Sequence, residues 1–150
     1  IGFAFTRLSI VSTLVNQLYE LLGLADEPVL KLSHQIIENQ GTLGDRIFSC
    51  SAQIGYPPGH LEIQTDVTGN FTTLLSPTDT NNDMAFITST VQRNTNKCDS
   101  SESFEFALKA PFVTMALHES RMRCVVIPPD SIPGPTPVFT EKIIEVVESR

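Results

Sequence analysis

The sequence predicts an all-β chain, two antiparallel sheets packed as a sandwich, behind an N-terminal extension of one strand and one helix. Three observations predict it. About seven short runs of alternating apolar and polar residues are separated by turn-rich stretches, the spacing of a two-sheet sandwich. Two cysteines, Cys50 in IFSCSAQI and Cys124 in RMRCVVI, each sit at the centre of such a run. The hydrophobic period changes from helical to strand-like near Pro28.

Residues 3–10 alternate, with Phe3 and Phe5 on one face and Leu8 and Ile10 on the other, which fits a short strand. Leu14, Leu18, Leu21 and Leu22 then fall at i, i+4, i+7 and i+8, the stripe of an amphipathic helix over residues 13–24. Ser12 or Thr13 can cap its start, and Gly23 with Asp26-Glu27-Pro28 can stop it. Residues 1–27 therefore read as an extension or linker carrying that helix, and residues 28–150 as the β domain. The helix is expected to pack on its own sandwich or on a preceding domain. The alternative is an apolar stripe that docks on another subunit, with residues 3–10 adding to a neighbouring sheet edge.

After Pro28, residues 29–33 and 36–38 are short strands and residues 40–45 a turn. In the next run Phe48, Cys50, Ala52 and Ile54 share the inner face, and Ser49, Ser51 and Gln53 the outer one. Residues 55–59 turn the chain, and Leu61, Ile63 and Thr65 alternate with Glu62 and Gln64. Residues 66–83 are polar and turn-rich, broken by residues 71–75; residues 84–91 form a strand; residues 94–101 form a polar loop containing Cys98. Phe104, Phe106 and Leu108 alternate with Glu105, and Met122, Cys124 and Val126 alternate with Arg121, Arg123 and Val125. Five prolines bar residues 127–137 from a central strand. Residues 138–147 close the fold as one edge strand, where interspersed Glu and Lys are expected.

With 150 residues the chain can bury one ordinary core, and 41% hydrophobic against 18% charged residues marks it as globular. A net charge of −7 argues against a nucleic-acid surface, which needs clustered Lys and Arg. Arg7, Asn16, Gln17 and Glu20 interrupt every early apolar run, so neither a signal-peptide core nor a membrane span forms, and any anchor must lie elsewhere. A first residue of Ile1 and not Met is expected of a processed chain or a fragment.

Cys50 and Cys124 both point inward on this alternation. A disulfide between them is the expectation, worth roughly 2–5 kcal/mol for a long closed loop; two reduced core cysteines in a cytosolic protein are the alternative. Cys98 is then left over, either as a single thiol or bonded to another chain.

At these residues the chain resembles an immunoglobulin-like domain of secreted or cell-surface, invertebrate-type proteins. GDRIFSCSA resembles the strand carrying the first core cysteine, IGYPPGHLEI the turn into the next strand, and HESRMRCVV the corner before the second cysteine. The resemblance covers roughly residues 28–148. It departs where Ile63 stands at the usual core tryptophan and Met122 at the usual corner tyrosine. It implies that residues 55–59 and 127–137 lie at one end, with Pro128, Pro129, Asp130, Ile132, Pro133 and Pro135 as a stiff candidate binding loop. The bland reading of that loop is a rigid turn.

Asn70-Phe71-Thr72 is a glycosylation sequon in a polar loop, and Asn96-Lys97-Cys98 its rare cysteine form. Asp79-Thr80-Asn81-Asn82-Asp83 starts like a calcium loop, but Met84 replaces the required glycine and Thr90 the bidentate Glu. His34, His60 and His118 have no metal-ligand spacing, and no nucleophile-elbow, phosphate-loop or zincin motif occurs. No cofactor, no metal and no catalysis are expected. The expected function is extracellular recognition or adhesion, binding a protein or glycan partner as one domain of a longer chain. The alternative is a structural subunit of an extracellular assembly, a homo-oligomer held through residues 1–27 and Cys98.

Overall fold

A computed structural model describes residues 25–32, 36–37, 43–76, 83–95, 100–131 and 136–148. Within them the chain forms eleven strands: β1 Val29–Leu32, β2 Ile36–Ile37, β3 Ile47–Gln53, β4 His60–Thr65, β5 Thr72–Leu75, β6 Ala85–Ile87, β7 Gln92–Asn94, β8 Ser101–Leu108, β9 Arg121–Ile127, β10 Val138–Ile143 and β11 Val146–Val147. Short 3-10 turns occur at Leu43–Arg46, Ala110–Phe112 and Met115–Leu117. The helix expected over residues 13–24, the strand over residues 3–10, Cys98 and Asn96 lie outside the described residues.

Two antiparallel sheets pack face to face. The first has the order β1-β3-β8-β6, with β7 also paired to β8; the second has the order β10-β9-β4-β5. Period-two alternation sets which face goes in. From β3 come Phe48 and Cys50, from β8 Phe104, Phe106 and Leu108, from β4 Leu61 and Ile63, and from β9 Met122, Cys124 and Val126, all buried. Phe48 and Phe106, opposite each other in register, stack with ring centroids 5.2 Å apart. At the centre Cys50 and Cys124 form a disulfide with Cα atoms 6.2 Å apart, joining the middle strands of the two sheets. Ile63 pairs directly with Cys124, and Met122 is 1% exposed, so both positions carry apolar side chains in the core.

Two expected strands are interrupted. The one expected over residues 84–91 is strand only at β6; residues 88–91 make a detour, and β7 at residues 92–94 then rejoins the same side of β8. The cause is a side chain that replaces the ladder: the Glu105 amide donates to Ser89 Oγ at 3.0 Å. The edge strand over residues 138–147 splits into β10 and β11 because Ile144 bonds elsewhere, its N–H to Ser120 and its C=O to Glu119, both at 2.8 Å. Beyond that break β11 runs parallel to β2, Val146 opposite Ile36.

The corner before β9 is a plug. Thr114 Oγ1 accepts the Ala116 amide, and Val113 and Leu117 fill the end of the core. Glu119, at φ 65, turns the chain so that His118 Nδ1 accepts the Val146 amide at 3.1 Å.

Candidate functional site

The turn at residues 55–59 and the chain leaving β9 at residues 128–131 lie side by side at one end of the sandwich. β3 ends at Gln53, and the Ile54 amide donates to Ser100 O at 2.8 Å. Residues 55–59 then turn the chain through a cis Tyr56-Pro57 bond, closed by Gly59 N–H to Ile54 O at 2.8 Å. Gly59 packs against the end of β9 so closely that a Cβ there would overlap the carbonyl oxygen of Ile127. Glycine is required by that approach. The contact holds the turn at residues 55–59 beside the chain leaving β9.

Pro128 and Pro129 follow directly, both half-buried, and Asp130 and Ser131 are exposed. Ile132, Pro133 and Pro135 lie outside the described residues. The described part of this end therefore presents Tyr56, Pro57 and Pro58 on one side and Pro128, Pro129 and Asp130 on the other. Prolines and a turn pinned to β9 leave the described part of this end little backbone freedom.

A polar clasp, not legible as a unit in the sequence, fastens this end. Glu102 on β8 is 3% exposed. Its Oε1 accepts the Leu61 amide from the opposite sheet at 3.2 Å, and its Oε2 lies 3.4 Å from Arg93 Nε. Arg93 in turn donates from Nη2 to Gly59 O at 2.8 Å. The signal was present: period two from Phe106 and Phe104 carries inward to Glu102.

The opposite end holds Asn70, exposed in the turn between β4 and β5. Gly69, at φ 102, supplies the left-handed residue of that turn. Asp66 anchors it: Oδ1 accepts the Arg121 amide at 2.6 Å and Oδ2 accepts Arg121 Nε at 2.8 Å. The backbone hydrogen bond from Arg121, with its guanidinium, holds the Asp66 carboxyl below its ordinary value against the opposing pull of partial burial.

Between the two ends, the outer face of the β10-β9-β4-β5 sheet carries a stack. The Arg123 guanidinium lies 3.5 Å from the Phe71 ring centroid and 4.1 Å from that of Phe139. Glu141, opposite Arg123 in register, accepts from its Nε at 2.6 Å. Alternation placed Arg123 outward, but nothing in the chain order announced that Phe71 reaches it across β4.

Among the described residues no three His, Cys, Asp or Glu side chains gather as a metal site. No helix among them is long and apolar enough to cross a membrane. Comparison with protein-family models finds no match, and neither does comparison with curated proteins.

Proposed function

We propose that the chain is a non-catalytic, extracellular immunoglobulin-like module for recognition or adhesion, and that it meets a protein or glycan partner at the end formed by residues 55–59 and 128–131. The observation that carries this reading is the strand order with its staple. β1-β3-β8-β6 facing β10-β9-β4-β5 corresponds to the ABED and GFC sheets of that fold, with β5 as one additional strand beside C. The Cys50–Cys124 disulfide then lies between strands B and F, where the fold has its inter-sheet bond. In variable-type domains the B–C and F–G loops share the binding end, and their counterparts here are the two segments that Gly59 and Ile127 hold together. An oxidised core pair supports an extracellular setting, and the exposed sequon at Asn70 lies at the far end, where a glycan would leave the loops open.

The test is a binding screen of the chain, displayed as a tetramer, on arrays of extracellular ectodomains and glycans. A variant with Pro128→Gly, Pro129→Gly and Asp130→Arg is expected to lose the signal at least roughly tenfold, as for removal of a contact centre. A signal unaffected by these changes, or no signal on either array, overturns the reading.

A further inference from the structure

The outer face of the other sheet holds a groove that the loop-end reading does not use. It measures about 290 Å³. Its floor is Ser49 and Ser51 on β3 and Ser103 on β8, with Ser51 opposite Ser103 and Ser49 opposite Glu105 in register. Serines make the floor low. The detour at residues 88–91 makes the wall, with Ser89, Thr90 and then Gln92, which pairs with Ser103. The wall is tied to the floor strand by the Glu105 amide on Ser89 Oγ.

The side chains of Ser49, Ser51, Thr90, Gln92 and Ser103 have no hydrogen-bond partner among the described residues. The groove therefore offers four hydroxyls and an amide, which both donate and accept, and one carboxylate, which only accepts. No Lys, Arg or His lines it; Lys31 on β1, opposite Ser49 in register, is a cation beside it, and Glu105 within it repels an anion. Its lining is polar, unlike the apolar lining that takes lipid or aromatic ligands. Donors and acceptors at close intervals, with room for one ring, match a ligand that carries hydroxyls on every side.

The geometry points to a binding site for a neutral saccharide unit in this groove, with Ser51, Ser103 and Gln92 contacting its hydroxyls and Glu105 accepting from a pair of them. The site stands independently of the proposed loop-end interface, since it lies on the outer face of a sheet and includes none of residues 55–59 or 128–131. Affinity is millimolar, because an open polar groove exchanges water hydrogen bonds for sugar hydrogen bonds with little apolar gain.

Amide chemical-shift titration of the chain with methyl mannoside, methyl galactoside and N-acetylglucosamine tests this, with glucuronate as the anionic comparison. Saturable shifts at Ser49, Ser51, Thr90, Ser103 and Glu105 with at least one neutral sugar are expected, and weaker ones with glucuronate. Ser103→Leu fills the floor and abolishes them. Gln92→Ala, on the exposed wall, weakens binding roughly three- to tenfold, the loss of one hydrogen bond, which keeps the test intact if the leucine variant does not fold. The proposal is overturned by absence of saturable shifts with every neutral sugar, by affinity unchanged in Gln92→Ala, or by tighter binding of glucuronate.

Discussion

Glu102 shows how one residue can serve both sheets. A carboxylate in the interior is costly unless its oxygens are occupied. Here one oxygen takes a backbone amide from the facing sheet and the other faces Arg93, whose guanidinium also holds the carbonyl of Gly59. Arg93 is 42% exposed, so it links the buried acid to solvent at the loop end. Glu102→Ala is expected to cost about 1–3 kcal/mol, because the Leu61 amide keeps its burial and loses its acceptor. Glu102→Gln keeps an oxygen for Leu61 and is expected to cost less. Chemical denaturation of both variants measures the difference. Equal losses would show that the carboxylate serves Arg93 and not the Leu61 amide.

At the scale of elements, the β4–β5 turn is fastened to β9 by one aspartate. Asp66 binds both the backbone and the guanidinium of Arg121, and this lowers its carboxyl pKa from 3.8 in the folded chain. The unfolded chain therefore takes up this proton first as pH falls. The resulting stability is complete above the unfolded value and is lost as pH drops through the lower folded value. Asp66→Asn is expected to be less stable than the parent at neutral pH, with the difference shrinking as pH falls through the ordinary carboxylate range and below it. The pair is at the surface, so added salt should also narrow it. Urea midpoints across that range test the point, and a difference that is constant with pH would remove Asp66 from the account. Element pairing also shows what can be read from a single chain. Alternation located β3, β4, β8 and β9 because each buries one face for six to eight residues. It missed the division at residues 88–91, where one serine hydroxyl replaces a ladder bond. It located residues 36–37 as strand but not their pairing with β11, which joins residues 110 positions apart through only two residues on each strand. The loop end was legible through its Gly and Pro residues, but not its fastening by Glu102 and Arg93. That depends on which strands become neighbours, and no local pattern states it.

For the molecule as a whole, the disulfide decides how far the unfolded chain can expand. Cys50 and Cys124 are 74 positions apart and enclose β4 to β8, parts of both sheets. Closing a loop of that size contributes roughly 2–5 kcal/mol, mostly by restricting the unfolded state. The native sheets have their own support: Phe48 on Phe106, Ile63 beside Cys124, and Met122 and Leu117 filling the lower core. The double variant Cys50→Ala, Cys124→Ala is therefore expected to keep its β spectrum in the cold while its denaturation midpoint falls. Its m-value should rise, because an uncrosslinked unfolded chain exposes more surface. Both cysteines are 0% exposed, so a reductant should act on the intact protein only as fast as the sandwich opens. If the midpoint falls without a rise in m-value, the bond acts chiefly in the native state, holding β3 against β9. If neither changes, side-chain packing alone keeps the two sheets together, and the case for an oxidising compartment loses its main support.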